Sequence, residues 1–145
     1  MTEDFDGVIG IVYSKDVPKR YLIIYNRKTG HFTFPAGAKE EYETLSRQTL
    51  ERELLEETGL TPMDYVVFDT PFIYEFTYGE NKKERKGQKA RQHVYFVETT
   101  KTKLKPIDSN VEIDGWYSIE GATRKLSFDE LKKLFQKIMK FYKIQ

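Results

Sequence analysis

Leu45-Ser46-Arg47-Gln48-Thr49-Leu50-Glu51-Arg52-Glu53-Leu54-Leu55-Glu56-Glu57-Thr58-Gly59-Leu60 is a run without internal glycine or proline that stops at a glycine, with Pro62 soon after. This predicts a helix from Leu45 to Thr58 with Gly59 as its C-terminal cap. At about 100° per residue, Glu53, Glu56 and Glu57 share an arc of about 100° on one face, while Leu50 and Leu54 point to another. Three carboxylates that close raise one another's pKa, so the arrangement costs stability unless a cation fills it. Hard oxygen ligands of this kind suit Mg²⁺ or Mn²⁺.

Working outward, β-branched and aromatic runs predict strands at Val8–Tyr13, Tyr21–Tyr25, His31–Phe34, Tyr65–Phe68, Phe72–Tyr78, His93–Thr99 and Trp116–Ile119. Pro35-Ala36-Gly37 reads as a loop leading to the helix. Ser127 and Glu130 have capping-box spacing, and Phe128, Leu131, Leu134, Phe135, Ile138, Phe141 and Tyr142 recur at helical period, predicting a C-terminal amphipathic helix over the sheet. Strands mixed with two long helices predict an α/β/α layered domain.

The chain has 145 residues, expected to form a single domain over 1–145. With 24 Lys and Arg against 23 Asp and Glu, the net charge of +1 exerts no global pull on nucleic acid or membrane. There is no cysteine, which excludes disulfides and thiolate-bound zinc and fits a cytoplasmic protein; metal must be held by oxygen or by His31 and His93. Apolar runs fall far short of the roughly 20 residues of a membrane span.

Arg-Glu-apolar-X-Glu-Glu-X-Gly-apolar, as Arg52 to Leu60, resembles the second half of the Nudix box, and the box as a whole spans 37–60. The likeness extends over essentially the whole chain. The family pattern places seven residues between the first glutamate and the arginine, whereas eight separate Glu43 from Arg52. Either one residue is inserted, with Gly37 and Glu43 in the family places, or Ala38 and Thr44 occupy them. The first is preferred, because Phe34-Pro35-Ala36-Gly37 fits the usual lead-in and glycine adopts backbone angles that alanine cannot.

The resemblance implies a Nudix-type α/β/α sandwich with a mixed central β-sheet, and a Mg²⁺- or Mn²⁺-dependent pyrophosphohydrolase. Glu53, Glu56 and Glu57 would hold the metal, with the Gly37 carbonyl a further ligand and Arg52 orienting a carboxylate. The base would be Glu56 or a later carboxylate: Glu112 is the candidate, with Glu98 and Asp114 as alternatives. Trp116 to Ala122 and the last helix are similar to dinucleoside polyphosphate hydrolases of the diadenosine tetraphosphate type. A nucleoside triphosphate pyrophosphatase or an RNA 5′-pyrophosphohydrolase would carry the same box, and a non-catalytic nucleotide-binding module of this fold is the alternative from another class. Nothing resembles the proline-centred signature of nucleotide-sugar or coenzyme A hydrolases.

Two further expectations concern substrate. Lys82, Lys83, Arg85 and Lys86, between Gly79 and Gln92, could grip a polyphosphate or an RNA 5′ end as part of a basic loop. His93 and Tyr74 could line a pocket, although strand aromatics more often belong to the core. The expected partner is a nucleotide, with no membrane, and the protein is expected to be a monomer or homodimer.

Overall fold

In the computed structural model, residues 4–16, 18–77 and 87–144 are described. Seven strands form one mixed sheet: β1 (Gly7–Ser14), β2 (Tyr21–Asn26), β3 (His31–Thr33), β4 (Ala36–Ala38), β5 (Tyr65–Thr77), β6 (Lys89–Thr99) and β7 (Val111–Tyr117). The helices are α1 (Ser46–Thr58), α2 (Ile119–Lys125) and α3 (Asp129–Phe141). The path runs β3-β2-β1-β6-β5, with β4 added to β1 and β7 to β2. Among the described strand pairs only β1 and β6 run parallel, so the sheet is mixed, as expected.

Each sheet face carries its own apolar layer. On one, Leu50 and Leu54 of α1 are buried with Val8, Val12, Leu22, Ile24, Tyr95 and Val97. On the other, Leu131, Phe135, Ile138 and Met139 of α3 pack on Ile9, Ile11, Ile23, Phe34 and Val94. Fully burying such a side chain contributes about 1.5–3 kcal/mol, which fixes which face of α1 turns inward. This is the predicted α/β/α sandwich.

Several local features differ from expectation for identifiable reasons. The two strands predicted at Tyr65–Phe68 and Phe72–Tyr78 form one strand with an irregularity between Asp69 and Ile73. Pro71 lies inside the irregularity, where its missing N–H costs no ladder bond. Ala36–Ala38, read as loop, forms a short strand against Gly7–Ile9. The last strand begins at Val111 rather than Trp116, and Ile119 opens a helix capped by Ser118. Ser127 does not cap α3; its Oγ accepts the Phe32 N–H at 2.7 Å, tying α3 to the sheet instead. Among the described residues no helix is long and apolar enough to cross a membrane.

Candidate active site

Helix α1 is defined at both ends. Gln48 Oε1 accepts the N–H groups of Thr44 and Leu45 at 2.8 and 2.9 Å, and Gly59, at φ 79°, donates its N–H to the Leu55 carbonyl. The left-handed backbone at this stop is where glycine is required. The chain then returns, and Lys105 N–H bonds the Thr58 carbonyl while the Ile107 and Asp108 N–H groups both bond the Glu56 carbonyl. The C-terminal end of α1 is therefore clamped by backbone.

Arg52 organises the acidic face. Its Nε and Nη2 reach the two oxygens of Glu43 at 2.9 and 3.0 Å, Nη2 also donates to the Ala38 carbonyl at 2.8 Å, and Nη1 donates to Glu53 and Glu56 at 2.7 and 3.3 Å. It is Glu43, only 3% exposed, that pairs with Arg52, while the Thr44 hydroxyl lies against Gln48. Burial alone would raise the Glu43 carboxyl. Hydrogen bonds from Arg52, the Glu40 N–H and Thr49 outweigh it and hold the carboxyl below its ordinary range.

Glu57 is buried, and its Oε1 accepts the Ala36 N–H at 2.8 Å. A Cβ at Gly37 would stand 2.2 Å from the Glu53 carboxylate, so a side chain there would push that carboxylate out of its present position. The Gly37 backbone lies in β4 without a positive φ, which corrects the expectation that backbone angles select glycine. Burial, then the charges of Glu56 and Glu43 against the relief from Arg52, push the Glu53 carboxyl up to about 7. Burial and then the charge of Glu53 push Glu57 well above the usual carboxylate range.

Among the described residues no three carboxylates already stand together as a cage for an ion. The donor set nevertheless fits a hard divalent cation. Glu57 is buried and Glu53 partly so, the Glu53 charge pushes Glu57 up, Arg52 relieves only Glu53, and the two carboxylates lie against Ala36 and Gly37 of β4.

A carboxyl whose pKa rises on folding takes up protons as the chain folds, so its contribution falls as pH climbs through the folded value. Glu43 has the opposite sign, but its contribution changes only in acid. Metal-free protein is therefore expected to lose melting temperature from about pH 5 to about pH 8, with Mg²⁺ raising it more at the upper pH. A flat profile with a pH-independent Mg²⁺ effect would contradict this charge balance.

The other predicted positions are distributed as follows. Glu112 is paired in register with Tyr25, on the sheet face away from α1, and ion-pairs with Arg27 at 3.2 Å. Glu98 is in register with Tyr13 on that same face, and burial and then the Glu98 charge push the Tyr13 phenol up. Asp114 accepts the Tyr117 hydroxyl and lies 3.7 Å from Lys125. Among the described residues no hydrogen bond or ion pair joins these three to the box carboxylates. Strand alternation explains this for Glu112, since its neighbours Val111 and Ile113 take the side facing α1. Lys82, Lys83, Arg85 and Lys86 lie outside the described residues.

A cavity of about 280 Å³ adjoins β4 on the α3 side, lined by Ile9, Thr33, Ala36, Tyr74, Phe76 and Phe128 among others. Tyr74 thus lines a pocket, whereas His93 is not part of this cavity's lining: its Nε2 meets Asp69 at 2.7 Å and its ring stacks on Tyr95. Phe128 had been readable only as part of an apolar helix stripe. A larger cavity of about 810 Å³, around Lys19, Arg20 and Lys143, includes none of the box residues in its lining.

Glutamates bridged by Arg52, on and just before a helix over a mixed sheet, lie within the span that a known family covers. The NUDIX domain profile matches residues 5–138, and the chain belongs to this family. It is a hydrolase acting on phosphoanhydride bonds. A NUDIX hydrolase from Listeria monocytogenes has TM-score 0.75 at 19% identity, covering 97% of this chain and 95% of that one. The Caenorhabditis elegans Ap4A hydrolase has TM-score 0.73 at 17% identity, with coverage of 95% and 97%. The Escherichia coli dihydroneopterin triphosphate pyrophosphohydrolase has TM-score 0.73 at 14% identity, with coverage of 93% and 97%. At these identities the structural likeness concerns the fold. No curated protein matches the chain in sequence.

Proposed function

We propose that this protein hydrolyses a nucleoside polyphosphate, using Mg²⁺ or Mn²⁺ held by Glu53, Glu56 and Glu57 with the Gly37 carbonyl. The observation that carries the reading is the pair of Glu53 and Glu57 carboxylates set against Gly37 and Ala36 of β4, with burial and neighbouring charge pushing both up. A divalent ion bound there supplies activation of water and neutralisation of phosphoryl charge. Glu56, with its side chain 40% exposed, is the most open to solvent of the three carboxylates assigned to the metal and the one we assign as base. Arg52 fixes the rotamers of Glu53 and Glu56 from behind, through hydrogen bonds to both.

The aromatic pocket beside β4 supports a substrate with a flat ring system. Tyr74 and Phe76 stack with centroids 5.7 Å apart and Phe128 lines the same space. Its volume, about 280 Å³, lies just below the common range of about 300–1,000 Å³ for ligand pockets and suits one base rather than two. The likeness to an Ap4A hydrolase supports a dinucleoside polyphosphate with its second nucleoside outside this pocket. A nucleoside triphosphate or a triphosphorylated RNA 5′ end is the alternative substrate.

The test is release of phosphate-containing products from a panel of dinucleoside polyphosphates, nucleoside triphosphates, 5′-triphosphorylated RNA and pterin triphosphate, with and without Mg²⁺. Metal-dependent cleavage of a phosphoanhydride in at least one nucleotide is the expected result. Binding of nucleotide without cleavage across the panel would instead make the protein a sensor module.

A further inference from the structure

The aromatic pocket beside β4 also carries polar groups to which no role has been given. Gln92 of β6 lines it, together with Thr33 of β3 and Thr77 of β5. Three features leave the Gln92 amide open to a ligand. It stands in register with Tyr74, so it lies beside one of the two stacked rings. On its other flank the partner in β1 is Gly7, which contributes no side chain to compete for it. Gln92 is half-buried, and among the described residues its amide makes no hydrogen bond. A primary amide in a cavity shared with Ile9, Ala36 and Leu131 is left to water or to a ligand.

The chemistry of the amide limits what it reads. It presents a donor and an acceptor side by side, and matches a base edge that offers an acceptor and a donor in the same way. Adenine does so through N7 and the N6 amine, the edge that asparagine and glutamine bind in a bidentate manner. Guanine pairs two acceptors, N7 and O6, on the corresponding edge, which calls for arginine or lysine. Its N1–H and N2 amine together call for a carboxylate. Among the described residues that line the pocket there is neither a cation nor a carboxylate.

We propose that Gln92 is a specificity-determining residue: its side-chain oxygen accepts an N–H of the 6-amino group of an adenine stacked against Tyr74, and its side-chain nitrogen donates to N7. The inference rests on the nucleotide reading above and narrows it to adenine nucleotides. Its competitor is a solvated strand residue that leaves the base unread.

The substrate side of the test needs no variant. Adenosine, guanosine and purine riboside triphosphates are compared, the last differing from the first only by loss of the 6-amino group, with diadenosine and diguanosine tetraphosphates as the longer pair. A bidentate contact of this kind discriminates by about 5- to 150-fold. Parent protein is therefore expected to favour adenosine over purine riboside and over guanosine by at least about fivefold in kcat/KM. The difference should lie in KM, since the contact is remote from the phosphorus attacked. Gln92→Met, which removes both polar groups at similar volume, should bring the adenosine to purine riboside ratio close to one. Gln92→Glu, which turns the donor into an acceptor, should invert the preference toward guanosine. Calorimetric binding of the three triphosphates reads the same ratios without turnover.

A parent indifferent to the base overturns the proposal. So do variants that weaken all three nucleosides alike, the outcome of a merely structural role. Metal-dependent cleavage without base preference removes this inference alone. Binding that shows the preference, and its loss in Gln92→Met, without any cleavage removes the hydrolytic reading and leaves the inference standing. Absence of both binding and cleavage removes the two together.

Discussion

Glu57→Gln is expected to lower kcat by about 10³-fold while leaving the metal-free protein more heat-stable than its parent. The activity estimate follows from losing a few kcal/mol of charge stabilisation at the phosphoryl group, at about 1.4 kcal/mol per tenfold. The stability gain has a separate cause. Glu57 is buried, its carboxyl is driven up by burial and then by Glu53, and glutamine still offers an oxygen to the Ala36 N–H. Removing a charge that folding disfavours, without orphaning its hydrogen-bond donor, relieves repulsion at little cost. Steady-state kinetics at saturating Mg²⁺ and a thermal melt in chelator measure the two halves. Turnover within a few-fold of the parent would dismiss Glu57 as a ligand, and a lower melt would show that the carboxylate is structural.

Arg52→Ala is expected to destabilise the protein by about 3–5 kcal/mol, more than its partly accessible position suggests, and to abolish most activity. The reason is Glu43. That carboxylate is 3% exposed and takes two hydrogen bonds from the guanidinium, at 2.9 and 3.0 Å, so truncating Arg52 leaves a buried charge supported only by Thr49 and one backbone N–H. Adding Glu43→Gln to Arg52→Ala should recover part of the loss, because the orphaned charge disappears. Urea unfolding of the two single variants and the double variant supplies the cycle. Additive losses would mean that the pair is not energetically coupled.

The sheet and its two long helices were legible because their signals are local and periodic. Leu50 and Leu54 sit on the buried face of α1, and Gly59 ends it as a glycine cap. The capping pair proposed for α3 shows the limit of such reasoning: Ser127 has the right spacing, yet its hydroxyl serves Phe32, 95 residues away in sequence. The same limit applies to the site. Placement of Glu53, Glu56 and Glu57 on one arc of α1 follows from helical geometry alone, whereas among the described residues they do not close into a cage. The clamp on the end of α1 depends on the 105–108 segment returning to the Thr58 and Glu56 carbonyls, which no short-range pattern encodes. Glu112 was singled out for its place late in the chain, and only the register of β7 against β2 tells which sheet face it occupies.

The three residues of β4 join two surfaces through the thickness of the sheet. Ala36 borders the aromatic pocket, and its own N–H holds Glu57, while the bare Cα of Gly37 faces the Glu53 carboxylate on the opposite side. On the proposed reading, the group that recognises the ring and the group that cuts the chain are anchored to adjacent residues of one short strand. β4 then behaves as a ruler, and the phosphorus attacked is the one at a set span from the seated base, whatever the total number of phosphates. A longer substrate extends beyond the cut instead of shifting it.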